Sequence, residues 1–99
     1  MRKGVWVDDA CRIDPGAQLK APCVIGKGSL IGAGAVVGPY TVIGERSRIS
    51  PRAVLKNCIL FRNVFVARNV HLSNCILGDD SHINEDITVY EAAVLNIRQ

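Results

Sequence analysis

Acid–base chemistry in this chain could come from two side chains, His71 and His82, because an imidazole titrates near neutrality and serves as a general base. Neither has an obvious orienting carboxylate beside it, and two surface imidazoles would read the same way. Two histidines do not make a metal site, and Cys11, Cys23, Cys58 and Cys75 form no C-x-x-C pair, so no metal ligand is assigned. The glycine-rich run Gly32-Ala33-Gly34-Ala35-Val36-Val37-Gly38 misses the dinucleotide fingerprint by one residue, and no lysine follows it to make a phosphate loop. No cofactor is expected.

The remaining chemistry is charge. Arg46, Arg48, Arg52, Lys56, Arg62 and Arg68 concentrate positive charge in the middle of the chain, with Glu45 as the acidic residue nearby. Such a cluster is either a solvated face or a site for an anionic effector, such as a sugar phosphate, or for an acidic partner surface. Asp79, Asp80, Glu85, Asp86 and Glu91 follow it toward the C-terminus. Two copies could therefore pair head to tail or antiparallel.

What positions these residues is a beat of six. Val7, Ile13, Leu19, Ile25, Ile31, Val37, Ile43, Ile49 and Leu55 are all aliphatic and all in step. Six is neither the helical 3.6 nor the strand period of two; a fixed hexapeptide repeat marks a parallel β-helix whose short strands cover the sides of a prism. Three hexapeptides make one triangular coil of eighteen residues, and Ile13-Asp14-Pro15-Gly16-Ala17 returns at that spacing as Ile31-Gly32-Ala33-Gly34-Ala35 and Ile49-Ser50-Pro51-Arg52-Ala53. Four positions after each anchor the residue is small, as at Ala17, Ser29, Ala35, Thr41, Ser47 and Ala53. A narrow interior leaves room for little else where the chain turns.

After Leu55 the repeat shortens to seventeen: Asn57-Cys58-Ile59-Leu60 returns as Asn74-Cys75-Ile76-Leu77. Three columns then continue as Ile49, Val66, Ile83; as Leu55, Leu72, Val89; and as Ile43, Leu60, Leu77, Val94. One corner has lost a residue per coil. Corner positions fall at Gly28, Arg46, Asn63, Asp80 and at Gly16, Gly34, Arg52, Asn69, Asp86, mostly residues that tolerate a left-handed backbone; the two arginines do not fit that preference. Pro15, Pro39 and Pro51 precede corners, where a fixed φ and a missing N–H cost least.

The chain is thus one all-β unit of about five coils, roughly 24 Å long at about 4.8 Å per coil. Residues 1–6 are a lead-in whose Trp6 would cover an exposed end of the prism, and 7–99 are the β-helix. Asn96 to Gln99 are too few for a capping helix. Cys11 and Cys23 take the small inward position. Cys58 and Cys75 differ from them, standing one coil apart and near enough for a disulfide on distance alone; a cytoplasmic chain keeps them reduced.

Composition removes several function classes. A net charge of +3 with no aromatics interleaved among the basic residues does not point to nucleic acid. The uncharged run from Gly28 to Gly44 is no membrane span, because Pro39 and five glycines lie inside it and it keeps the sixfold beat. Arg2 and Lys3 precede no apolar block, so no secretory signal is read and the cytoplasm is the expected compartment.

These repeats resemble the hexapeptide-repeat, left-handed parallel β-helix proteins over nearly the whole chain, from Val5 to Leu95. Within them, Val5-Trp6-Val7 leading to Ile13-Asp14-Pro15, the run from Val36 to Gly44 and the seventeen-residue coils with Asn-Cys-Ile-Leu are similar to the C-terminal domain of sugar-phosphate nucleotidyltransferases. Those include mannose-1-phosphate guanylyltransferases and glucose-1-phosphate adenylyl- or thymidylyltransferases. The resemblance implies an accessory module that pairs with a catalytic domain or with copies of itself and transfers no nucleotidyl group unaided. The same superfamily holds CoA-dependent acyltransferases with a histidine base between prisms, which would use His71 or His82. It also holds a zinc carbonic anhydrase with three shared histidines, which two cannot match.

Overall fold

The computed structural model describes residues 3–94. Each hexapeptide contributes a strand of two or three residues, too short to bury anything alone, so stability has to come from stacking in register on the next coil. Three parallel sheets result. The first holds β1 (Val5–Val7), β4 (Cys23–Ile25), β7 (Thr41–Ile43), β10 (Ile59–Leu60), β13 (Cys75–Leu77) and β16 (Ala92–Val94). The second holds β2 (Arg12–Ile13), β5 (Leu30–Ile31), β8 (Arg48–Ile49), β11 (Phe65–Val66) and β14 (His82–Ile83). The third holds β3 (Gln18–Leu19), β6 (Val36–Val37), β9 (Val54–Lys56), β12 (His71–Ser73) and β15 (Thr88–Val89). Consecutive strands always lie in different sheets, and every pair is parallel.

The sixfold anchors are the core. Ile25, Ile31, Val37, Ile43, Ile49 and Leu55 are all buried, and the seventeen-residue coils continue their columns, with Val66 between Ile49 and Ile83, Leu72 between Leu55 and Val89, and Leu60 between Ile43 and Leu77. The shortened corner lies between the third and first sheets, where Asn57 and Asn74 alone bend the chain at φ 55° and 58°. Six strands spaced by about 4.8 Å account for roughly 24 Å of the 34 Å long axis; the molecule is 20 and 19 Å across.

Corners decide where polar groups go. Arg46, Asn63 and Asp80 are left-handed at φ 54°, 56° and 64°, as are Arg52, Asn69 and Asp86, so both arginines adopt the conformation their type disfavours. Arg52 is held there by its Nε donating to Asn69 Oδ1 one coil on, at 3.0 Å. Gly16 departs from its column. It has no positive φ, and what sets its corner apart is the Asp14 carboxylate, which accepts from the Gly16 N–H at 2.7 Å.

The small inward column beside the second sheet carries buried hydroxyls, and each finds partners. Ser29 Oγ donates to the Gly44 carbonyl at 2.9 Å, while Ser47 Oγ donates to the Phe61 carbonyl and accepts from the Val64 N–H at 3.1 Å. Among the described residues no buried side-chain nitrogen or oxygen lacks a hydrogen bond. No helix of the described residues is long and apolar enough to cross a membrane. Leu95 and Asn96 to Gln99, including the segment judged too short for a capping helix, lie outside the described residues.

Candidate functional site

Strand alternation sends the residue before each anchor outward. On the second and third sheets those outward rows mix charged or polar with apolar groups: Arg12, Leu30, Arg48, Phe65, His82 on one and Gln18, Val36, Val54, His71, Thr88 on the other. The first sheet is different. Its outward row is Trp6, Val24, Val42, Ile59, Ile76 and Ala93, one residue per coil in direct register, without a polar member.

That row faces solvent. Trp6 is 62% exposed, Ile59 43% and Ile76 41%. Tyr40, bent outward at the corner with φ 55° and 68% exposed, borders it. Trp6, Pro22, Val24, Tyr40, Val42 and Ile59 line an open groove of about 680 Å³ at the N-terminal half of the face. Trp6 therefore does not cap the end of the prism. It sits within β1, paired with Val24 of β4, and β1 itself begins at Val5 as part of the first coil. The sequence signal for this face was present in the row before the anchors, but the period of six draws attention to the buried column instead.

The two histidines do not meet. His71 is on the third sheet, exposed beside Val54 and Thr88. His82 is on the second, half-buried, with its ring 4.6 Å from that of Phe65 and tilted by 54°. It lines a groove of about 710 Å³ with Phe65, Arg68 and Glu85.

The basic cluster is spread round the prism. Arg48 points from the second sheet, Arg46 and Arg62 lie at the corner between first and second sheets, and Arg52 and Arg68 at the next corner. Glu45 is not its sole balance. A coil of seventeen places Asp79 beside Arg62 at 3.6 Å and Glu85 beside Arg68 at 3.4 Å. Both pairs are exposed and contribute little to stability.

The four cysteines are free, none of them joined in a disulfide. Cys58 and Cys75 occupy the same inward column as Cys23 and Thr41, so all three thiols serve one packing role rather than two. Cys58 Sγ donates to the Lys56 and Leu72 carbonyls at 3.2 and 3.4 Å. Burial pushes its thiol up from 9.0 to about 11, with the Cys75 thiol adding to the rise and backbone hydrogen bonds at Cys75 and Lys56 opposing it. A raised thiol means the fold binds the proton more tightly than the unfolded chain does. Stability from this group is complete below pH 9.0, and about 2–3 kcal/mol is lost as pH climbs to about 11. Urea unfolding across that window should show the loss in the native chain, and the Cys58→Ala variant should show a shallower slope; equal slopes would assign the pH dependence to other groups.

Residues 2–98 match the EIF2B subunit epsilon LbH domain, a left-handed β-helix built on hexapeptide repeats. The chain belongs to that family. Two solved structures are similar to the chain at a low level. A GDP-perosamine N-acetyl transferase from Caulobacter crescentus, solved as a mutant with CoA and GDP-perosamine, is 17% identical with a TM-score of 0.39, covering 86% of this chain and 50% of that one. The UDP-N-acetylglucosamine O-acyltransferase from Moraxella catarrhalis is 16% identical with a TM-score of 0.37, covering 89% of this chain and 61% of that one. The chain thus spans about half to three-fifths of the length of these structures. No curated protein matches it. As a member of the EIF2B subunit epsilon LbH domain family, the chain is left-handed, which its strand periods alone do not specify.

Proposed function

We propose that this LbH domain is a non-catalytic assembly or regulatory module of the sugar-phosphate nucleotidyltransferase type, working in the cytoplasm. It docks a catalytic domain or a further copy of itself through the outer face of the first sheet. The observation that carries this reading is the unbroken apolar row from Trp6 to Ala93, a surface of the kind that protein partners cover. The family match supports a β-helix module, and the sequence likeness to nucleotidyltransferase C-terminal domains supplies the enzyme class.

The competing reading is an acyltransferase using His71 or His82, and the half-buried His82 in its groove is the feature that favours it. One experiment separates the two. The purified chain is tested for transfer from acetyl-CoA to amino and hydroxyl sugar nucleotides, and for binding to a nucleotidyltransferase catalytic domain encoded in the same genome. Binding that Val42→Lys abolishes, with no acetyl transfer, is the expected result. Transfer that His82→Ala or His71→Ala removes would overturn the module reading.

A further inference from the structure

We propose that the first-sheet face is a homodimer interface in which two prisms lie antiparallel, related by a two-fold axis along the strands between β7 and β10. This rests on the module reading and names one partner for it, a second copy of the chain.

That operation sets β1 against β16 of the second copy, β4 against β13 and β7 against β10. The outward row then meets itself in complementary sizes. Trp6, the largest member, faces Ala93, the smallest; Val24 faces Ile76, and Val42 faces Ile59. The borders of the face match as well. At the corner leading to the second sheet, Lys27 comes opposite Asp79 and Asp80, and Glu45 opposite Arg62, with Arg46 the like-signed neighbour of that pair. At the other corner Lys3 comes opposite Glu91, and Tyr40 opposite Lys56.

The parallel arrangement, with the axis along the prism, does worse on both counts. It brings Lys27 against Lys20 and Arg62 against Lys56, and stacks Trp6 on Trp6 at one end. Six strands at about 4.8 Å spacing and a width of up to 19 Å give roughly 450 Å² of flat area per copy, or roughly 900 Å² for the pair, the size of a small, reversible interface, so the affinity rests on the match of side-chain sizes and charges more than on area. A self-complementary patch of this kind is what a two-fold interface requires.

Sedimentation velocity on the native chain at tens of micromolar should give a dimer, and Ile59→Lys should weaken it by about 100-fold or more, since each dimer carries the substitution twice near its centre. Ile59 is outward, so the melting profile of that variant confirms that it folds. Orientation is read by cysteine trapping. Val24→Cys combined with Ile76→Cys should give a covalent dimer with a short thiol-to-thiol cross-linker of about 8 Å, which suits side chains on facing sheets about 10 Å apart, whereas Val24→Cys alone should not; within one chain the two positions are three strands apart, roughly 14 Å and beyond its reach. Trapping by Val24→Cys alone, as efficient as by the double variant, would replace the antiparallel dimer by a parallel one. A native chain that sediments as a monomer would overturn the dimer itself. If that monomer still binds a nucleotidyltransferase catalytic domain, the module reading stands without the dimer; if it binds none, both fall.

Discussion

Gly44→Ala is expected to destabilise the chain by about 3 kcal/mol or more, lowering its melting temperature by roughly 12 °C or more. A methyl group at Gly44 would stand 2.1 Å from the Phe61 carbonyl oxygen and 2.5 Å from its carbon. Both are backbone atoms of the next coil, so no side chain can rotate out of the way. Relief would need the coils to part at the corner where Gly44 N–H donates to the Leu60 carbonyl at 2.8 Å and Gly44 carbonyl accepts from Ser29 Oγ. Gly16→Ala is the matched control. Its nearest atom is an Asp14 carboxylate oxygen at 3.1 Å, a side chain that can shift, and its φ is not positive, so the cost should stay within about 1 kcal/mol. Equal melting temperatures for the two variants would contradict the close stacking at this corner.

Leu55→Ala should cost about 2–5 kcal/mol, while Val54→Ala, one residue away on β9, should cost at most about 1 kcal/mol. Leu55 is fully buried between Val37 and Leu72 on the neighbouring coils, whereas Val54 is an outward, half-buried neighbour. The difference is amplified by architecture. In a solenoid each coil touches only the coils beside it, so a cavity in the middle strand of the third sheet weakens two interfaces at once and nothing distant compensates. Urea midpoints with unchanged slopes would measure both costs. If Leu55→Ala unfolds no earlier than Val54→Ala, the inward column is wrongly placed.

How much of this could be read in advance depends on which side of the strand a residue faces. The buried columns were legible because close packing inside a narrow prism admits few residue types, so Ile43, Leu60 and Leu77 keep their period even where the coil shortens to seventeen. The small inward positions were legible for the same reason, although the shared role of Cys23, Cys58 and Cys75 became clear only when register placed them in one column. Outward rows carry no such constraint. Trp6 read as an end cover because its partner Val24 is eighteen residues away, and only the pairing of β1 with β4 shows that it continues a lateral stripe. The balance of Arg62 by Asp79 and of Arg68 by Glu85 was hidden similarly, since each pair is seventeen residues apart in the chain yet adjacent across one coil.

The amino-acid sequence by itself determined the coil: its three-sided section, its number of turns, the identity of its buried residues and the corner that tightens after Leu55. It could do so because each of these follows from a local period, repeated often enough that the hydrophobic effect and the space inside the prism select the same residue types every time. Tertiary structure decided that Trp6 belongs to a lateral apolar stripe and not to an end, and which charges neutralise each other. Those are properties of stacking. They depend on which residues a whole turn of the chain brings side by side, and no window shorter than a coil contains both partners.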